Sequence, residues 1–174
     1  MTPIPVGDRN PIFIVAENVR SLFNVGALFR SADGINAAGV YLTGFTGYPP
    51  RKEIRRVALG AEDTVPWTYE QDTAVVLESL KSEGIQIVAL EKTPDSVDYR
   101  LFSYCFPVAI VVGHEVDGVQ TETLDSCDAV VSIPMLGQKA SLNVSVASGI
   151  ILYELLRVVH VLLCHSVDFI RNRC

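Results

Sequence analysis

Cationic excess is the first thing this sequence lacks. Fourteen lysines and arginines stand against twenty aspartates and glutamates, for a net charge of −6 and a pI near 5.0. Bulk attraction to a polyanion is thereby excluded, and any nucleic-acid contact has to come from a local patch. Paired cysteines are missing too. Cys105, Cys127, Cys164 and Cys174 form no Cys-x-x-Cys, and with only His114, His160 and His165 beside them no metal-ligand cluster falls at a recognisable spacing. The four read as isolated reduced thiols, and no metal is expected. The opening MTPIPVGDRNP has no basic segment leading into an apolar run, so it does not read as a secretory signal. An uninterrupted membrane span is also lacking, because the best candidate, residues 144–163, carries Glu154 and Arg157 at its middle. It reads as a buried helix of a cytoplasmic protein with no membrane contact. There is no repeat, low-complexity tract or linker. No Gly-x-Gly-x-x-Gly or P-loop follows the first apolar run, which sets aside the ordinary nucleotide-binding α/β enzymes.

What is present suits one globular domain spanning residues 1–174, with a core at about 12–157; nearly half the residues are apolar and a fifth are charged. Apolar runs at 11–16 (PIFIVA), 39–42 (GVYL), 85–90 (IQIVAL), 108–112 (VAIVV) and 129–133 (AVVSI) are continuous rather than alternating. That is the pattern of parallel strands covered on both faces. Helical patterns at 24–33, 73–82, near 121–126 and along the C-terminal run lie between and after them, which predicts an α/β fold with helices on both faces of a parallel sheet. In the first helix Asn24 is the expected N-cap, and Val25, Leu28, Phe29 and Ala32 form its apolar stripe. Gly26 and Arg30 read as lying off that stripe. A mid-helix glycine costs roughly 1 kcal/mol against alanine, so Gly26 reads as room for a ligand toward which Arg30 points; the alternative is a solvated Arg30–Asp33 pair. From Val144 to Val159 the last helix has almost no polar side. Its second face, through Leu152, Leu155, Leu156 and Val159, is expected to meet another subunit.

Glycines and polar residues collect after three of these strands, where ligands of open parallel sheets bind. In chain order they are Asn24-x-Gly26-x-x-x-Arg30, with Arg20 just ahead, then Gly113-x-Glu115-x-x-Gly118, then Ile133-Pro-Met-x-Gly137-x-x-x-Ser141-Leu142-Asn143-Val-Ser145. Alone, the second is a tight turn with an exposed Glu115, and Ser141 or Asn143 would be helix caps. Together the three resemble the ordered motifs of the SpoU (TrmH-like) RNA ribose 2′-O-methyltransferases of the SPOUT superfamily.

That resemblance implies more than the pattern does: a SPOUT-type parallel sheet with a C-terminal trefoil knot, a homodimer, and S-adenosyl-L-methionine (AdoMet) held in the knot at a site shared between subunits. It implies methyl transfer from AdoMet to a ribose 2′-hydroxyl of tRNA or rRNA. By position, Gly113, Ile133 and Leu142 resemble the adenosine pocket, largely through backbone groups, with Leu90 on the same wall. Asn24, Arg30, Glu115, Ser141 and Asn143 resemble the polar active-site set. Arg30 would hold an RNA phosphate and stabilise the forming alkoxide; whether it also takes the proton stays open, since a guanidinium keeps its own. Asn24 and Asn143 would orient groups, and Glu115 would hold the loop or Arg30. RNA is assigned to Arg20 and to Arg51, Lys52, Arg55 and Arg56, the densest basic cluster, which is otherwise a solvated loop or helix face. Unlike relatives with added terminal domains, this sequence is expected to carry no extension at either end, and residues 165–174 carry no family motif. Two other readings on the same fold are a catalytically silent RNA- or AdoMet-binding module and a base-methylating enzyme. The Ser-Leu-Asn-Val-Ser form of the last motif speaks against the second.

Overall fold

The computed structural model describes residues 3–171, with side chains described to residue 162. Cys164, His165, Cys174 and the tail at 165–174 therefore lie outside the described side chains. Of the other two thiols, Cys105 is exposed and Cys127 half-buried, and both are free.

Seven strands pair in parallel into one sheet of order β3-β2-β1-β6-β4-β7-β5. They are β1 (Asn10–Glu17), β2 (Ala37–Thr43), β3 (Trp67–Glu70), β4 (Gln86–Leu90), β5 (Val97–Asp98), β6 (Val108–Val112) and β7 (Ala129–Ser132). The helices are α1 (Leu22–Gly34), α2 (Lys52–Ala58), α3 (Ala61–Thr64), α4 (Thr73–Ser82), α5 (Thr121–Asp125) and α6 (Val144–Arg171). Alternate residues of each central strand feed opposite cores, because side chains switch faces at every step. Ile12, Ile14 and Ala16 of β1 pack with residues of α1, α2, α3 and α6. Phe13 and Val15 pack with Val76, Leu77 and Leu80 of α4 and with Leu124 of α5. Both faces are covered, which is why the runs are apolar without alternation.

Two strands and two helices go beyond the sequence expectation. β3 (WTYE) and the two-residue β5 are the edge strands, only partly buried, so neither carries a continuous apolar run. α2 (KEIRRVA) buries only Ile54 and Ala58, and α3 has four residues.

Three expectations about the helices are corrected. The N-cap of α1 is Ser21, whose Oγ accepts from the Asn24 amide at 3.4 Å, so Asn24 already sits inside the helix with its side chain free to act elsewhere. Gly26 is buried and faces α2. A Cβ there would stand 2.6 Å from the Ile54 carbonyl oxygen and 3.0 Å from Val57 Cβ, so the close approach is between two helices and not to a ligand. The Arg30–Asp33 pair does not form either; Asp33 accepts from Thr64 Oγ1 at 3.0 Å, and Arg30 is exposed.

The C-terminal helix also differs from expectation. Leu152, Leu155 and Val159 are buried within this chain's own core, together with Ile151 and the half-buried Leu156. They are not available to a second subunit. Among its described side chains, the large apolar residues that α6 exposes are Val146, Tyr153, Val161 and Leu162. Val144–Leu162 is long and apolar enough to cross a membrane by length and composition. One face of it nevertheless belongs to the core, and on another Arg157 Nη2 reaches Glu154 Oε1 at 2.6 Å.

Candidate active site

The loops leaving the carboxyl ends of β4, β6 and β7 enclose a cavity of about 190 Å³ at one edge of the sheet. Its floor comes from β6. After Val112 the chain turns through Gly113, and His114 and Gly118 exchange two backbone hydrogen bonds of 3.0 Å. This closure explains both glycines of the second motif. A Cβ on Gly113 would strike the Gly118 backbone, and Gly118 has φ +73° with its Cα against the Glu91 carboxylate. Glu91, from the loop after β4, accepts from Val119 N at 3.1 Å and so ties the two loops together. Glu91 has no signal in the sequence, because a lone carboxylate after a strand carries no pattern.

Leu90, Gly113, Ile133 and Leu142, drawn from three separate stretches of sequence, all line this cavity, as do Glu115 and Ser141. The four expected cofactor residues are thus brought to one cavity. Lys92, His114 and Met135, to which the sequence assigns no cofactor role, join them.

Glu115 is the hinge of the polar set. Its Oε2 accepts from Arg20 N at 3.0 Å; its Oε1 accepts from Ser21 N at 2.9 Å and from Asn24 Nδ2 at 2.8 Å. The carboxylate therefore sits on the N-terminus of α1, where unpaired amides and the helix dipole favour an anion. Burial alone would raise its pKa, but these hydrogen bonds outweigh burial and hold it below the ordinary carboxylate value. Asn24 then uses its Oδ1 to accept from Asn143 Nδ2 at 3.2 Å, and Asn143 Oδ1 accepts from Ser145 N at 2.9 Å at the start of α6. One chain of contacts thus runs Glu115–Asn24–Asn143–Ser145 and joins all three motif segments. Each side chain leaves the next in one orientation.

Arg30 is not part of this cluster. It is exposed on α1, does not line the cavity, and no ion pair holds it among the described residues. Its neighbours one and two turns away are the half-buried Ala27 and the exposed Phe23. Gly34, one turn on, lies against the Tyr153 hydroxyl of α6, 2.9 Å from where its Cβ would be. Arg30 therefore borders the face on which α1 and α6 expose Phe23, Val146 and Tyr153. Arg20 is exposed beside Glu115, and Arg51, Lys52, Arg55 and Arg56 are exposed on and just before α2, with Arg55 4.0 Å from Glu62. Among the described residues no group of three His, Cys, Asp or Glu side chains is placed to hold a metal ion.

Fold and site together define a class: α/β proteins in which the last loop of a parallel sheet folds over the carboxyl ends of the strands to make a cleft. This chain belongs to the SpoU rRNA Methylase family, whose model matches residues 11–153. It is 37% identical over 151 residues to a 23S rRNA (guanosine-2′-O-)-methyltransferase RlmB of Vibrio parahaemolyticus, covering 86% of this chain and 60% of that protein. Among solved structures it is similar to a TrmH/SpoU tRNA modifying enzyme of A. aeolicus (34% identity, TM-score 0.78, 86% of this chain and 75% of that one). It is also similar to an AdoMet-bound rRNA methyltransferase of Sinorhizobium meliloti (32% identity, TM-score 0.80, 88% and 60%). The chain spans about three-fifths of the length of the curated relatives it matches.

Proposed function

We propose that this chain transfers the methyl group of AdoMet to a ribose 2′-hydroxyl of ribosomal or transfer RNA. The observation that carries this reading is the Glu115–Asn24–Asn143 chain of hydrogen bonds, which ties three distant motif segments together through Glu115, a residue of the cavity lining. The names of the relatives support it: one is a 23S rRNA (guanosine-2′-O-)-methyltransferase and another a tRNA modifying enzyme.

The residues present fit AdoMet. Leu90, Val112, Ile133 and Leu142 offer apolar walls to a flat heterocycle, and the Gly113–Gly118 loop offers backbone groups along its edge. Bound there, AdoMet supplies a methyl group activated on a sulfonium, so the protein's task is to align the ribose oxygen and stabilise its developing charge. Asn24 and Asn143 orient groups beside the cavity through Glu115, which fixes Asn24; Ser141, exposed in the cavity lining, precedes Asn143 in the same loop. Arg30 supplies a cation for an RNA phosphate and for the forming alkoxide. Its position beside the exposed apolar residues of α1 and α6 supports a homodimer in which Arg30 serves the cavity of the partner subunit. The side-by-side placement of β7 between β4 and β5, with residues 135–147 folded over the loops of β4 and β6, supports a trefoil knot at the C-terminal end. We take residues 1–174 as one such domain, acting in the cytoplasm and away from membranes, with RNA held by Arg20 and the basic α2.

Incubating the protein with methyl-labelled AdoMet and ribosomal or transfer RNA tests the reading. Label in the RNA is expected. AdoMet and RNA binding without turnover would instead make the chain a silent binding module.

A further inference from the structure

The cavity at the ends of β4, β6 and β7 carries charges that its apolar walls do not explain. Glu91, Glu115 and Asp117 line it, and among its described lining residues Lys92 is the only lysine or arginine. Three carboxylates around one ammonium would draw it into an ion pair if charge balance alone decided its place. All three are committed elsewhere. Glu91 Oε2 accepts from Val119 N at 3.1 Å and its Oε1 from Lys92 N at 2.8 Å. Glu115 is filled by the amides of Arg20 and Ser21 and by the Asn24 side chain, and Asp117 Oδ2 lies 2.9 Å from His114 Nδ1. Lys92 itself is exposed, and no ion pair holds its ammonium among the described residues. Its backbone is fixed through the Glu91 carboxylate, so the flexible four-carbon stem sets where the charge goes.

The parts of AdoMet make different demands on such a lining. Its adenosine is uncharged and suits the apolar walls and the loop of Gly113 and Gly118. Its sulfonium and α-ammonium are cations and suit a lining with three carboxylates. Its one anionic group is the α-carboxylate, which those carboxylates repel. A single anion on the ligand and a single unpaired cation on the wall leave one pairing that satisfies both. An RNA phosphate is the rival anion. Its strand, however, brings one negative charge per nucleotide toward a lining with three carboxylates and one cation.

Resting on the AdoMet reading above, we propose that Lys92 selects the intact amino-acid end of AdoMet, its ammonium pairing with the α-carboxylate at the rim of the cavity. Calorimetric titration of the whole chain tests this without RNA. The two ligands are AdoMet and decarboxylated AdoMet, which keeps the sulfonium, the methyl group and the ammonium and lacks only the carboxylate. The unaltered protein should bind AdoMet about tenfold tighter than the decarboxylated form. Lys92→Gln should lose that preference while binding the decarboxylated form at least as tightly as the unaltered protein does, which also shows that the variant is folded. Equal affinity of the unaltered protein for both ligands, or a preference surviving in Lys92→Gln, overturns the assignment. An unchanged AdoMet affinity in Lys92→Gln together with weaker RNA binding gives the lysine to a phosphate instead. If neither ligand binds, the AdoMet reading and the assignment fall together. If the preference appears but no RNA is methylated, the transfer reading fails and the assignment stands.

Discussion

Glu115 accepts three hydrogen bonds at the start of α1, and its carboxylate is held below the ordinary value of 4.5 despite a burial that pulls the other way. A group whose pKa is lower in the folded state stabilises the fold above its unfolded value and loses that contribution as pH falls through the folded one. Glu115→Gln replaces an acceptor by an amide donor facing one of these N–H groups. It should cost about 1–3 kcal/mol near neutrality, and the difference from the unaltered protein should shrink below pH 4.5, read from thermal unfolding at several pH values. A constant difference across that range would mean the charge contributes nothing. Arg30 calls for the opposite experiment. Exposed, and held by no ion pair among the described residues, it contributes little to packing, so Arg30→Ala should leave the melting temperature and AdoMet affinity in place while lowering methyl transfer by on the order of a hundredfold. Near-normal turnover would shift the electrostatic role to another residue of the set.

At the scale of elements, the packing of α1 on α2 turns on one missing methyl group. Gly26→Ala gains about 1 kcal/mol in helix propensity, but the new Cβ would press on the Ile54 carbonyl, a backbone atom that can yield only if α2 moves. Overpacking of this kind costs about 1–3 kcal/mol, so a net loss of stability is expected in a denaturant titration, and a gain would show that α2 adapts freely. α2 itself should contribute to RNA binding: replacing Arg51, Lys52, Arg55 and Arg56 together by alanine should weaken RNA binding and flatten its salt dependence without touching AdoMet affinity. Unchanged RNA affinity would place the contact elsewhere. Neither role was fully legible in sequence. The continuous apolar runs reveal the buried central strands because both of their faces are covered. An edge strand such as WTYE, or a helix burying only Ile54 and Ala58, carries no comparable signal. Gly26 was visible as an anomaly, but nothing local says whether a helix or a ligand fills the space. The cavity lining of Leu90, Gly113, Ile133 and Leu142 is legible only through the family motifs, and the tie made by Glu91 not at all, since it depends on which loops the sheet order makes neighbours.

For the whole molecule, the apolar face left exposed is not the one that helical periodicity indicates. Leu152, Leu155 and Val159 are consumed by the chain's own core, leaving Val146 and Tyr153 of α6 with Phe23 of α1 on the surface. If these form the dimer contact, Tyr153→Glu combined with Val146→Asp should convert a dimer to the 19.0 kDa species in sedimentation at micromolar concentration. The unaltered protein sedimenting at that mass would dismiss the dimer. The central claim is the position of the transferred methyl group. RNA modified by the unaltered protein should yield, after alkaline hydrolysis, dinucleotides that resist cleavage because the 2′-oxygen is blocked; complete cleavage with the label on a base would contradict it.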